Sequence, residues 1–340
     1  MANGYFKAAY ENIPGNEANT PTLSTKLIYV PVITAKPDLA PDPLERDDEL
    51  RGNDEPLAVL PESYTPKWDL VVRGYPDTLG FLLKSLLGPP VSTAGNGTTV
   101  MDPAGIAIPT GATRHVWTAP FLPGLTPQTF EGTFAYKDQA TYYRLKGCAT
   151  DTLSLETPDK GGMQVKASGP GMHLARITDP SLTPAYESLA IRPFFKSGLK
   201  LAWLTGTATV QDFTLSCAAP VEASRTLGAG SKFPDLMEKG DGLIVWSGTV
   251  ASRQVDADDY DAMLNATGFA ATATWTSDSL VVGSYPYKLF VEMSNAQLTG
   301  GDLDDLSNKR RLGASWNFKA TSAGSASVKV TLVNGTASYA

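Results

Sequence analysis

One stretch limits the folds open to this chain more than any other: Trp68–Gly88, WDLVVRGYPDTLGFLLKSLLG. It reads as a strand, a Pro-Asp turn and a short amphipathic helix stopped by glycine. Pro76 suits a helix start, Asp77 or Thr78 can cap it, and Leu79, Leu82, Leu83, Leu86 and Leu87 form one apolar face. A second copy lies 180 positions on, where Arg73 and Arg253, Leu83 and Met263, and Gly88 and Gly268 fall in the same places. In that copy Asp256 or Asp258 can cap a helix that turns Tyr260, Met263 and Leu264 inward and ends at Gly268. These are the two best helical stretches in a chain that otherwise reads as β. The expectation is a mainly β protein of two tandem β-sandwich or barrel modules, each with one short flanking α-helix.

The rest of the chain fits around the two copies. Residues 1–26 are polar and rich in proline and asparagine, which predicts an N-terminal arm; residues 27–195 form the first module and 196–340 the second. Lys26–Ala35 is a β-branched apolar run that reads as the first strand. Residues 36–66 carry six prolines around a charged centre and predict a long loop, of a length that is usually functional or bound to a partner. Tyr143, Leu145, Gly147 and Ala149 alternate, and Lys160-Gly161-Gly162 turns into a second alternating run, Met163–Ser168. Strands are expected at Leu243–Val250, Ala271–Thr276, Tyr287–Met293, Arg311–Ala320 and Ser327–Val333, with a loop at Ala218–Gly242.

Charge and cysteine content remove several function classes. The 28 basic and 35 acidic residues leave −7, against a general binder of phosphate backbones, which needs a concentrated positive face. Cys148 and Cys217 have no CxxC or Cys/His spacing and read as buried thiols rather than a disulfide. The opening MANGYFKAAYENIPG has no apolar run after a basic start, so no secretion signal is expected, and no window is long and apolar enough for a membrane span.

No catalytic constellation emerges. His115 and His173 have no HxH or HExxH company, so neither a metal nor a cofactor is predicted. Leu227–Lys232 lacks the Gly-Lys-Ser/Thr ending of a phosphate loop. The pairs Asp47/Asp48, Asp258/Asp259 and Asp304/Asp305 have the residue type of a glycosidase couple. Yet Asp258 and Asp259 fall in a first helical turn, where negative charge is favourable, and the others in polar loops. Trp68, Trp117, Trp203, Trp246, Trp275 and Trp316 lie in or beside strands, where packing is their default use. Lys309-Arg310-Arg311 follows Asp302, Asp304 and Asp305 and reads as one side of a charge pair.

In this order of elements the chain resembles the tail tube, or major tail, proteins of long-tailed bacteriophages, the non-contractile type in particular. The resemblance is carried by Trp68–Gly88, by Pro127–Leu155 with its run Tyr142-Tyr143-Arg144-Leu145-Lys146-Gly147-Cys148, and by Asp256–Gly268. It implies a non-enzymatic virion protein, assembled in the host cytoplasm, whose subunits close into rings that stack as the conduit for DNA. Two modules per chain imply a trimer with pseudo-sixfold symmetry in place of a hexamer. Partners would be copies of itself, the tail terminator, the tape measure and tail tip proteins, and DNA would pass without specific binding. Stacking loops are expected to include Glu45, Arg46, Asp47, Asp48, Arg51, Lys232 and Asp235. The alternative is a receptor- or glycan-binding virion protein displaying a tryptophan such as Trp117 or Trp275.

Overall fold

The computed structural model describes residues 4–11, 28–45, 59–119, 127–136, 141–158, 161–178, 191–201, 210–226, 232–252, 265, 268–303, 314–321 and 327–339. Its strands begin β1 (Gly4–Tyr10), β2 (Ile28–Val30), β3 (Val32–Glu45), β4 (Val59–Arg73), β5 (Val91–Ala94), β6 (Thr113–Thr118) and β7 (Phe130–Tyr136). They continue with β8 (Thr141–Cys148), β9 (Thr152–Thr157), β10 (Gln164–Pro170), β11 (His173–Ile177), β12 (Lys196–Leu201), β13 (Val210–Ala218) and β14 (Val221–Ser224). The last are β15 (Leu236–Lys239), β16 (Val245–Ser252), β17 (Phe269–Val282), β18 (Tyr285–Leu303), β19 (Ala314–Ala320) and β20 (Val328–Asn334). The one helix among the described residues, α1 (Pro76–Leu87), follows β4. The fold is mainly β, as the alternation predicts; β17 shows why, burying Phe269, Ala271, Ala273 and Trp275 with more open residues between them.

Two sheets carry nearly all the strands. The larger, of 13 strands, runs β3-β4-β10-β9-β13-β16-β19-β18-β20-β6-β5, with β17 also on β18 and β12 on β17. The smaller runs β11-β8-β7-β1-β2. All pairings are antiparallel, and β3 and β13 each carry a one-residue irregularity near the start, at Ile33 and Gln211. The chain changes sheets at Pro31, so the apolar run Lys26–Ala35 serves two strands. Gly4–Tyr10, which the sequence groups with the arm, is a strand between β2 and β7 that buries Phe6, Ala8 and Tyr10.

Residues 36–66 are not a loop along their whole length: β3 and β4 make a long hairpin whose tip, 46–58, lies outside the described residues. The register explains how so many prolines fit. The Pro66 carbonyl accepts the Gly171 N–H (2.8 Å) on the β10 side, so Pro66 and its opposite, Leu39, turn their main-chain groups away from each other. Pro37 and Pro41 are in phase with Leu39, and their missing N–H groups fall on the open edge, where no ladder bond is lost.

α1 differs from an amphipathic surface helix. Eleven of its residues are buried, Lys84 and Ser85 included, because it lies between the larger sheet and the smaller one. Phe81 stacks on Tyr10 (4.4 Å between centroids) and meets Phe130 edge-on (5.2 Å), which in turn meets Trp68 (5.3 Å). Leu79, Leu82, Leu83 and Leu86 join an apolar cluster that runs through both halves of the chain, from Phe6 to Tyr339. The N-cap is Tyr75, with no side-chain cap bond; Asp77, an expected cap, accepts Thr336 Oγ1 at 2.7 Å and ties the C-terminal segment to the helix. Gly80 leaves room for the Tyr339 ring, which a Cβ there would meet at 2.0 Å. The second helix, with Tyr260, Met263 and Leu264, lies outside the described residues.

Candidate functional site

The larger sheet has one covered face and one open one. From β3 to β19 the covered face supplies the core, and the open face presents a band of short polar side chains. Its rows follow from the ladder: Thr34, Val71, Lys166, Ser154, Ser216, Ser247 and Lys319 lie side by side, and Arg73, Gln164, Glu156, Thr214, Thr249 and Asn317 form the next row. Ser216 Oγ donates to Ser154 Oγ at 3.2 Å, and Lys166 pairs with Glu156 at 2.6 Å. Basic residues (Lys36, Lys67, Arg73, Lys166, Lys319) and acidic ones (Asp38, Asp69, Glu156, Asp212) nearly balance, and no aromatic ring is in these rows. Such a surface offers neither a phosphate-binding cluster nor a stacking platform.

Two strands bound this wall. Among the described residues β3 is paired on one side, to β4, and the far part of β18, from Gln297 to Leu303, is paired to β19. On β3 the Ala35 carbonyl accepts Tyr136 Oη (3.3 Å), while Ile33 and Leu39 are exposed at 50% and 38%. Among the described residues this edge of β3 is unusual, since large sheets otherwise hide such rows of main-chain groups.

The stacking-loop residues expected from the resemblance are only partly in view. Glu45 closes β3 opposite Val59, and Arg46, Asp47, Asp48 and Arg51 lie outside the described residues. Lys232 and Asp235 belong to the 218–242 segment, part of which forms the β14–β15 ribbon. This segment docks on β4 opposite Pro41: Tyr64 N–H donates to the Lys232 carbonyl (3.0 Å), Arg225 donates to the Tyr64 carbonyl (3.0 Å), and Phe233 stacks on Tyr64 at 5.5 Å. Asp235 accepts the Thr226 N–H at 2.7 Å, and that bond holds its carboxyl below the usual range. The 218–242 segment therefore contacts β4 at Tyr64.

The remaining polar clusters are structural. His115, fully buried, contacts Ser92 Oγ (2.8 Å) through Nδ1 and both Asn334 Oδ1 (3.1 Å) and the Thr336 carbonyl (2.9 Å) through Nε2. Asp102 escaped the sequence reading, though its Asp-Pro turn is a local signal. One carboxylate oxygen takes Lys288 Nζ (2.7 Å) and Tyr285 Oη (2.7 Å), and the other takes the N–H groups of Ala104 and Ile106. Burial pushes this carboxyl up, but the bonds from Lys288, Tyr285 and Ile106 together hold it below its ordinary value. Cys148 and Cys217 are free and buried, with their thiols pushed well up by burial. Among the described residues no group of His, Cys, Asp and Glu is placed to hold a metal ion.

The tryptophans named for glycan stacking are packed away: Trp117 is 2% and Trp275 0% exposed, donating to the Gly88 carbonyl and to Thr157 Oγ1, each at 2.8 Å. No helix among the described residues is long and apolar enough to cross a membrane. No curated protein matches the chain. The family described as phage tail tube protein matches residues 2–331, nearly the whole length. That match covers far more than half of the sequence, and the chain belongs to the phage tail tube protein family.

Proposed function

We propose that the chain is a two-module ring subunit, three copies of which make one pseudo-sixfold ring of the tail tube. One observation carries this reading. The strand order β3-β4-β10-β9 is followed by β13-β16-β19-β18, and matching strands have matching registers. Val71 stands between Thr34 and Lys166, and Ala251, 180 positions on, stands between Asp212 and Ser315. The irregularities at Ile33 and Gln211 fall at the same point of β3 and β13. The domain limits follow as an arm over 1–26 and modules over 27–195 and 196–340, though β1 draws part of the arm into the first module.

Bore size favours three copies. An eight-strand wall repeated three times closes as a barrel of about 24 strands, roughly 50 Å between opposite backbones. Six copies would double that width and leave a channel several duplexes across. The open hydroxyl face would line the bore, where near-neutral, ring-free chemistry lets DNA pass without specific binding. The β3–β4 tip and the 218–242 segment would touch the next ring through Glu45, Arg46, Asp47, Asp48, Arg51, Lys232 and Asp235. Tail terminator, tape measure and tail tip proteins would meet the tube's ends, in particles assembled in the host cytoplasm, and no enzymatic step is assigned. Native mass spectrometry of isolated rings tests the count: a mass of three chains is expected, and a mass of six rejects the threefold ring.

A further inference from the structure

The geometry points to a site for a small organic acid, a carboxylate on an apolar stem, in the cleft between the Met101–Pro103 overhang and strands β6 and β20. The site lies within one chain and does not depend on the ring count.

The ladder builds the floor. Trp117, Val330 and Leu332 face the core that β6 and β20 share with the wall, so Val116, Thr118, Lys329 and Thr331 face away from it. On that outer side Thr331 stands opposite Val116 and Lys329 opposite Thr118, with Val91 of β5 beside Val116. The roof is the turn that Asp102 holds down through Lys288 and Tyr285. Floor and roof enclose about 480 Å³, an ordinary size for a small-molecule site. Val91 and Met101, 71% and 42% exposed, are open apolar walls of the cleft.

Charge decides the sign of the ligand. Asp102 is paired with Lys288 (2.7 Å) and Glu292 with Lys329 (3.3 Å). Arg114 has no carboxylate partner among the described residues, so these groups leave one positive charge uncompensated. Its Nη1 donates to the Met101 carbonyl (2.8 Å), which holds the guanidinium under the overhang. Asp102 is a poor rival for that charge, because its oxygens already take Lys288, Tyr285 and the N–H groups of Ala104 and Ile106. Two polar atoms of the cleft residues are buried without a hydrogen bond, Arg114 Nε and Thr331 Oγ1. Native folds seldom leave such groups unmet, and both can donate to a carboxylate. The acid's carboxylate meets the Arg114 guanidinium, and Thr331 joins by turning about its Cα–Cβ bond. The apolar stem then covers Val91, Met101, Pro103 and Val116, which a bare inorganic anion would leave wet.

Titration calorimetry of the full-length chain with hexanoate, acetate and hexan-1-ol tests the site. One saturable equivalent of hexanoate per chain is expected. Acetate and hexan-1-ol should each bind at least about tenfold more weakly, since one lacks the stem and the other the charge. Arg114→Gln should weaken hexanoate by about the same factor, whereas Lys329→Gln, whose charge is met by Glu292, should not. Val91→Trp changes an exposed position of a short strand and should block the cleft without disturbing the core. Equal binding of hexan-1-ol, unchanged binding by Arg114→Gln or by Val91→Trp, or no saturable binding of hexanoate each overturns the site. If Arg114→Gln does not fold, as read by circular dichroism, Val91→Trp decides.

Discussion

Lys84 is where local chemistry and the fold pull hardest against each other. It is 5% exposed inside α1, with Nζ 4.1 Å from the centre of the Tyr10 ring. Burial pushes its pKa below 10.5, so the folded chain binds fewer protons than the unfolded chain between that lowered value and 10.5. Stability therefore rises with pH through this window, and at neutral pH the ammonium is a net cost. Lys84→Met keeps the stem and removes the charge, and it loses a cation–π contact. The net gain is expected to be about 1 kcal/mol at pH 7, shrinking as the pH approaches 10.5. Denaturant unfolding of both proteins at a series of pH values checks this; a variant less stable than the parent would show that the Tyr10 contact outweighs desolvation.

At the level of elements, Asp102 joins parts of the chain that are far apart in sequence, clamping the 95–112 segment to β18. Its folded pKa is depressed, so its contribution is present above 3.8 and is lost as pH falls through the lowered value. Asp102→Asn leaves Lys288 buried without its counter-charge, and about 3–5 kcal/mol should be lost. Adding Lys288→Met should recover most of that, because the orphaned charge goes too. Thermal unfolding of the two variants separates a charge pair from a packing role: no recovery in the double variant would mean the segment is held by shape alone. Such a clamp was not readable from sequence, since nothing local marks Lys288 as its partner. What was readable had short-range signals. Pro76 and Gly88 bracket α1, and Tyr143 to Ala149 alternate as β8 does. Gly147 shows how far that went: its place in the strand was legible, but its left-handed backbone (φ 64°) against Met172 was not. The hairpin arms were hidden because the prolines of 36–66 look like loop until the register shows the N–H positions of Pro37 and Pro41 facing outward. β1 was hidden because Phe6, Ala8 and Tyr10 alternate for only seven residues beside a polar stretch.

For the whole molecule, the consequential contrast is between an acidic chain and a nearly neutral open face. With −7 on the chain, repulsion of DNA by the tube wall is the simplest expectation, yet the open face mixes serine and threonine with nearly balanced charges. If that face lines the bore, free passage comes from the absence of phosphate partners rather than from repulsion. The difference is measurable. Replacing Ser154, Thr214 and Ser216 with arginine leaves the core side of each strand untouched and gives each subunit three phosphate partners. Particles built with this variant should form normal tails but eject DNA more slowly at low ionic strength, and added salt should restore the rate, because each phosphate contact is weakened by counterions. An outward-facing set of arginines would leave ejection unchanged at every salt concentration. That result would turn the hydroxyl face to the outside and require the wall of the conduit to be sought on another surface.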